Sequence, residues 1–226
     1  MEEARAYEEL RVGFTAAVSH ELRTPLARLL ALLESASLPD ADTEALLAQA
    51  REQVVEMSEL VDDVLFLSEL ESGREVVALG STAALPVLED VRDRLADSAE
   101  RADVTIRIAA DAEVELPLRR RMLQIIAENL VENSIRYAGP GSTLTLSACN
   151  GVLTAADDGR GVEEDELPRL FERFYRSDRA RASRGTGLGL AIVKHVVTAA
   201  GGGVEATGGP GHGLRVTCSF SMSAPS

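Results

Sequence analysis

The segment Ser19-His20-Glu21-Leu22-Arg23-Thr24-Pro25 sets an imidazole beside a carboxylate, with a hydroxyl one turn further on. Imidazole is a competent nucleophile near neutral pH, and Glu21 could orient the ring or accept its proton. Thr24 lies four residues beyond His20 and so falls on the same side of a helix. A zinc site of the His-Glu-x-x-His type is excluded, because Thr24 stands where the second histidine belongs. Taken alone, His20 also reads as a surface histidine with a neighbouring glutamate.

Three further clusters suit a phosphate-bearing ligand. Asn129 and Asn133 share one helical face, and their amide oxygens could hold Mg2+, a hard cation that prefers oxygen. Arg136 could meet phosphate, and Tyr137 could stack on a base. Asp157-Asp158-Gly159-Arg160-Gly161 follows a strand-like run. Asp157 can accept a hydrogen bond from an exocyclic amine such as that of adenine, and Gly159 and Gly161 let backbone approach a ligand closely. Gly185-Thr186-Gly187-Leu188-Gly189-Leu190 opens a helical run, whose free N–H groups attract phosphate. It is neither the dinucleotide fingerprint, since Leu190 replaces the third glycine, nor a Walker loop, since Lys-Ser/Thr is missing. Between these clusters lies Phe171-Glu172-Arg173-Phe174-Tyr175-Arg176. Arg169, Arg173, Arg176, Arg179, Arg181 and Arg184 face only Glu172 and Asp178 as acids there, which fits a lid over polyphosphate. Read singly, the clusters are also a polar helix face, an Asp-Gly turn, a flexible loop and a solvated arginine-rich loop.

The elements that must position these groups follow from periodicity. Residues 2–34 read as one helix, with Tyr7, Leu10, Phe14 and Ala17 at coiled-coil spacing and Pro25 expected to interrupt and kink it. His20 should flank that stripe, about 100° around the helix, and reach solvent. Residues 35–40 read as a turn. A second helix from Asp42 to Glu71 carries the stripe Leu47, Ala50, Val54, Met57, Val61 and Val64, and Gly73 should end it. Such a hairpin leaves its apolar seam half covered, and a symmetric homodimer would complete a four-helix bundle. Composition changes at 73–80, and short strands then alternate with helices over 85–101, 117–137 (with Pro117 at the start) and 188–200. Asn150-Gly151 between two strand-like runs is a strong hairpin signal. The fold class is α+β: a helical hairpin over residues 1–74, then an α/β sandwich over 75–226.

Hydrophobic residues at 45% allow a core, and a net charge of −14 disfavours nucleic acid and anionic membranes as direct partners. Cys149 and Cys218 read as small buried hydrophobes in a reducing compartment rather than as a disulfide. No run approaches the ~18 apolar residues of a membrane span, and no signal peptide is visible.

A histidine helix, an asparagine helix, Asp-x-Gly-x-Gly, Phe-x-x-Phe and Gly-x-Gly-x-Gly occur here in one order. That succession resembles the H, N, G1, F and G2 boxes of sensor histidine kinases, over nearly the whole chain. The resemblance implies His20 as phosphoacceptor, Glu21 as base and Thr24 as the group that positions water when the response regulator is dephosphorylated. It implies Asn133 ahead of Asn129 as the Mg2+ ligand, Arg136 on phosphates, Tyr137 at adenine and Asp157 as the adenine-reading carboxylate. Gly159 and Gly161 would line the nucleotide, and Phe174 and Arg176 would border it, with Arg176 near the γ-phosphate. Gly185, Thr186, Gly187, Leu188 and Gly189 would form the hinge and phosphate loop of an ATP lid. The implied cofactors are ATP and Mg2+. The implied partners are a second copy of the chain and a cognate response regulator, in the cytoplasm, with membrane attachment only through a portion preceding this sequence. The linker at 73–80 would act as a hinge. Three other readings stand beside this one: a silent scaffold that binds nucleotide, a gyrase- or chaperone-type ATPase, and an enzyme acting mainly as a phosphatase.

Overall fold

Leucine, glutamate and alanine dominate the first 71 residues, and they form two helices, α1 (Glu2–Ala36) and α2 (Thr43–Glu71). The structure, a computed structural model, describes residues 2–39, 41–71, 80–177 and 185–221, with residues 2–14 and 71 described by their backbone alone. Pro25 lies inside α1 and does not end it. Asp42 starts α2 by accepting the N–H of Ala45 on Oδ1 at 3.1 Å, an N-cap bond. The expected helix end at Gly73 and the hinge at 73–80 fall largely outside the described residues.

Part of the stripe expected along α2 is buried in the single chain and part is not. Leu47, Val54 and Val61 are 42%, 49% and 42% exposed, whereas Ala50, Gln53, Leu60 and Leu67 are buried. Ala50 of the expected stripe lies on the buried face with Met57 and Val64 half-buried, and the 47-54-61 row is the part that this chain alone leaves uncovered. Both rows have helical spacing, so periodicity alone could not rank them.

The chain divides into two compact units between Phe66 and Leu67. The second contains β1 (Thr82–Ala83), α3 (Ala84–Arg101), β2 (Val104–Ala110), β3 (Glu115–Leu116), α4 (Arg120–Tyr137), β4 (Ser142–Cys149), β5 (Val152–Asp157), α5 (Gly189–Ala199), β6 (Gly203–Gly208) and β7 (Leu214–Ser219). The main sheet runs β2-β4-β5-β7-β6, parallel between β2 and β4 and antiparallel elsewhere. The β1–β3 ribbon is too short to leave a sequence signal and was not expected. The hairpin between β4 and β5 turns at Asn150 and Gly151, both with positive φ (48° and 75°), as a type I′ turn demands.

The core lies between the sheet and its helices. Leu144, Leu146, Leu153, Val216 and Cys218 of the sheet are buried, as are Leu88, Val91, Leu123, Ile126, Val193 and Val196 of α3, α4 and α5. Arg94–Glu128 and Arg120–Asp90 ion pairs tie α3 to α4 at the surface. The α4 helix begins at Arg120, three residues after Pro117, which is a correction. The N–H of Leu118 turns back to the Leu116 carbonyl at 2.8 Å, so the chain bends before the helix starts. Both cysteines are free, but only Cys218 is buried, and burial pushes its thiol up to about 12. Cys149 is exposed at the strand end, against the expectation that both are buried.

Candidate functional site

Asp157 ends β5, the middle strand of the sheet, where the chain leaves the ladder and its last carboxylate meets α4. Its Oδ1 accepts the N–H of Gly159 at 3.0 Å and of Leu214 at 3.2 Å, and its Oδ2 accepts the Ser134 hydroxyl at 3.3 Å. Burial raises the Asp157 carboxyl above its ordinary range; the N–H groups of Gly159 and Leu214 and the Ser134 hydroxyl oppose that rise, and neighbouring Asp158 adds to it. The loop after Asp157 runs tight against the end of α4. The N–H of Arg160 donates to the Ala138 carbonyl at 2.9 Å, and a Cβ on Gly159 would collide with the Ala138 backbone. Glycine is required there by close approach.

A cleft opens beside this carboxylate, lined among others by Asn129, Asn133, Arg136, Tyr137, Gly161 and Arg176. Thr186, Gly187 and Gly189 line it from the start of α5. The first N–H groups of α5 have no side-chain cap, so they can receive an anion. Arg136 holds Glu132 one turn earlier at 3.6 Å. Gly185 runs past Tyr137 and Arg136, since a Cβ there would lie 2.8 Å from the tyrosine Oη and 3.5 Å from an arginine nitrogen. The far wall carries Tyr175, whose hydroxyl donates to Glu166 at 3.2 Å and whose ring lies 4.2 Å under the guanidinium of Arg169.

The expected residues thus converge, with distinctions. Asp157, Gly159, Phe174 and Gly185 are not among the residues that line the cleft. Asp157 reaches the lining through the N–H of Leu214, Phe174 through the Gly187 carbonyl and Gly185 by its approach to Tyr137, and the Leu188 side chain is fully buried in the core. Phe174 takes a left-handed conformation (φ 61°), and its N–H donates to the Gly187 carbonyl at 2.9 Å. That bond clamps the segment leaving the cleft to the segment returning to it. Arg179, Arg181 and Arg184 lie outside the described residues. Asn129 donates its Nδ2 to the Ile125 carbonyl at 2.8 Å and turns its Oδ1 toward Gly189. Asn133, one turn further along α4, lines the same cleft. Among the described residues no cluster of three or more histidine, cysteine or acidic side chains could hold a metal alone. The donor set therefore suits a hard cation that arrives with phosphate oxygens. Sequence reasoning missed Ser134 and Leu214: the first looks like a helix serine, and the second acts through a backbone N–H that any residue possesses.

His20 is 75% exposed by its side chain, with Nδ1 3.5 Å from Glu21 Oε1. Thr24 shares its surface depression on α1, together with Arg23 and Arg28. No helix among the described residues is long and apolar enough to cross a membrane.

Residues 10–73 match the model of the His Kinase A (phospho-acceptor) domain, and residues 118–224 that of the histidine kinase-, DNA gyrase B- and HSP90-like ATPases. The chain is 36% identical over 223 residues to the signal transduction histidine-protein kinase BaeS of Escherichia coli, covering 93% of this chain and 46% of BaeS. It is 37% identical over 226 residues to the phosphate regulon sensor protein PhoR of Pseudomonas aeruginosa, covering 94% of this chain and 50% of PhoR. The chain therefore spans about half the length of these relatives. Among solved structures, a chain of the histidine kinase AdeS of Acinetobacter baumannii matches with a TM-score of 0.72 and 26% identity, covering 91% of this chain and 98% of that solved chain. ThkA, solved in complex with the response regulator protein TrrA, matches in fold with a TM-score of 0.74 at 19% identity, covering 98% of this chain and 65% of that one.

Proposed function

The chain belongs to the sensor histidine kinase family, and from that premise we propose that it phosphorylates its own His20 from ATP and passes the phosphoryl group to a response-regulator aspartate. One observation carries the reading. An exposed imidazole with its Nδ1 toward a carboxylate occurs in the same chain as a cleft lined by Arg136, Arg160 and Arg176 with an uncapped helix start, and Leu214 of that lining donates to the Asp157 carboxylate. The Nε2 lone pair of His20 attacks the γ-phosphorus, the bond from that phosphorus to the β,γ-bridging oxygen breaks, and ADP leaves. The Nδ1 proton moves toward Glu21. Arg136 and Arg176 would hold phosphate oxygens, and Asp157 would fix the base, so the protein contributes mostly positioning and charge balance. Mg2+, held by Asn133, would neutralise polyphosphate charge. Thr24 beside His20 supports a phosphatase activity toward the phosphorylated regulator.

Leu26, Leu30 and Leu33 on α1 are 55%, 58% and 45% exposed, and with Leu47, Val54 and Val61 on α2 they form the apolar surface that a second copy would cover. The proposed division puts the phosphotransfer domain at residues 1–74 and the ATP-binding domain at 75–226; the phospho-acceptor match over 10–73 supports it, while the compact units divide earlier, between Phe66 and Leu67. The test is incubation with γ-labelled ATP and Mg2+. Label that is acid-labile and alkali-stable is expected, falling to background in His20→Gln while ATP affinity stays unchanged. Label retained by that variant would overturn the assignment, and ATP binding without label in the parent chain would favour a nucleotide-binding scaffold.

A further inference from the structure

A serine inside a helix ordinarily returns its hydroxyl to the carbonyl four residues earlier. In this chain Ser19 donates to Thr15 O at 2.8 Å, Ser37 to Leu33 O at 3.1 Å and Ser58 to Val54 O at 3.0 Å. Ser134 departs from that habit. It is 4% exposed inside α4, and its hydroxyl leaves the helix to meet Oδ2 of Asp157 on the central strand at 3.3 Å. Asn129, on the same helix, keeps the local pattern through its Nδ2.

The acceptor count on Asp157 then becomes informative. A carboxylate offers about four acceptor sites, two on each oxygen. Oδ1 is filled by the N–H groups of Gly159 and Leu214, and Oδ2 spends one site on Ser134. One acceptor site remains, on Oδ2, with the carboxylate anchored on both oxygens. We infer that Ser134 is a positioning residue that presents this last acceptor to the exocyclic amine of the base and so sets the preference for an aminopurine over a ketopurine nucleotide. This rests on the ATP reading of the cleft given above. A keto oxygen placed at the same point would set acceptor against acceptor, a mismatch that a partly buried site penalises heavily. The same hydroxyl bond favours the ionised carboxylate against the burial that raises its pKa. Without Ser134, Oδ2 loses its tether, and the carboxyl can rotate about the Oδ1 anchors or take up a proton and donate.

The test uses the full chain, with ATP and GTP binding measured by calorimetry and autophosphorylation by label transfer. Ser134→Ala is expected to weaken ATP about tenfold while leaving GTP unchanged or tighter. The loss should appear in KM for ATP rather than in kcat, and Ser134→Thr, which restores a hydroxyl, should recover the discrimination. Asp157→Asn serves as the control. If Ser134→Ala binds and discriminates like the parent while Asp157→Asn loses ATP, the inference about Ser134 falls and the cleft reading survives. If Ser134→Ala weakens ATP and GTP equally, its role is packing, and the inference is likewise overturned. If Asp157→Asn is itself without effect, the base-reading role of that carboxylate falls and the inference with it.

Discussion

At Asp157, burial pushes the carboxyl up from the ordinary aspartate range, while the N–H groups of Gly159 and Leu214 and the hydroxyl of Ser134 pull it back. The net direction is upward, so between the unfolded and folded pKa values the folded protein binds more protons than the unfolded chain. Stability therefore falls as pH rises through that window, and at pH 7 the ionised carboxylate is a net burden on the fold. Replacing it with the neutral isostere reverses the burden at the expense of recognition. Asp157→Asn should melt higher than the parent at pH 7, with the gain shrinking as pH drops through the carboxylate range. It should also lose ATP affinity by about 10- to 100-fold, because an amide nitrogen facing an amine sets donor against donor. A thermal melt and a binding titration across pH 3.5 to 8 check both halves. In the parent chain ATP affinity should begin to fall on acidification above the range where a free aspartate titrates.

At the scale of elements, the clamp between Phe174 and Gly187 shapes the cleft mouth. Gly187 has φ 70°, and a Cβ there would lie 2.9 Å from the Cα and carbonyl carbon of Phe174. Those are backbone atoms and cannot move aside as a side chain would. Gly187→Ala therefore meets two obstacles, a left-handed backbone and a collision, at about 1–3 kcal/mol. The expected result is a loss of ATP affinity of about tenfold or more, since the Phe174–Gly187 bond opens, with a smaller drop in the melting temperature of the sheet unit. Calorimetric ATP binding and a thermal melt separate the two. The elements also show what periodicity can and cannot convey. The Asn150-Gly151 turn was legible because its residues carry the required backbone conformation themselves. The spacing of Asn129, Asn133, Arg136 and Tyr137 was legible because four-residue steps share a face. The Ser134 bond to Asp157 crosses 23 positions in sequence and depends on how α4 lies on β5, which no local pattern encodes. The start of α4 was misplaced because a proline suits a first helical turn and a preceding bend equally well.

Over the whole molecule, every exposed large hydrophobic side chain among the described residues lies between Leu26 and Leu65, on α1, α2 or the turn between them. Leu26, Leu30 and Leu33 repeat at four and three positions, and Leu47, Val54 and Val61 at seven, so both rows have the period of a bundle seam. A charge on each row should disrupt the proposed pairing without touching the sheet unit. The double variant Leu30→Glu, Val54→Glu should elute as a monomer by light scattering at concentrations where the parent is dimeric. Its ATP affinity should stay within about twofold of the parent, since Leu30 and Val54 belong to the first compact unit and the cleft residues to the second. An unchanged dimer would place the seam elsewhere. The parallel pair β2–β4 and the Asp157 loop lie in the other unit, whose core does not depend on these rows.

The clamp at Phe174 and Gly187 also bears on how this protein can diverge. Because both ends of the stretch 175–186 are tied at one point, the number of residues strung between them is decoupled from the position of the cleft walls. Substitutions at the two tied residues should therefore be removed from a lineage more strictly than changes of length between them.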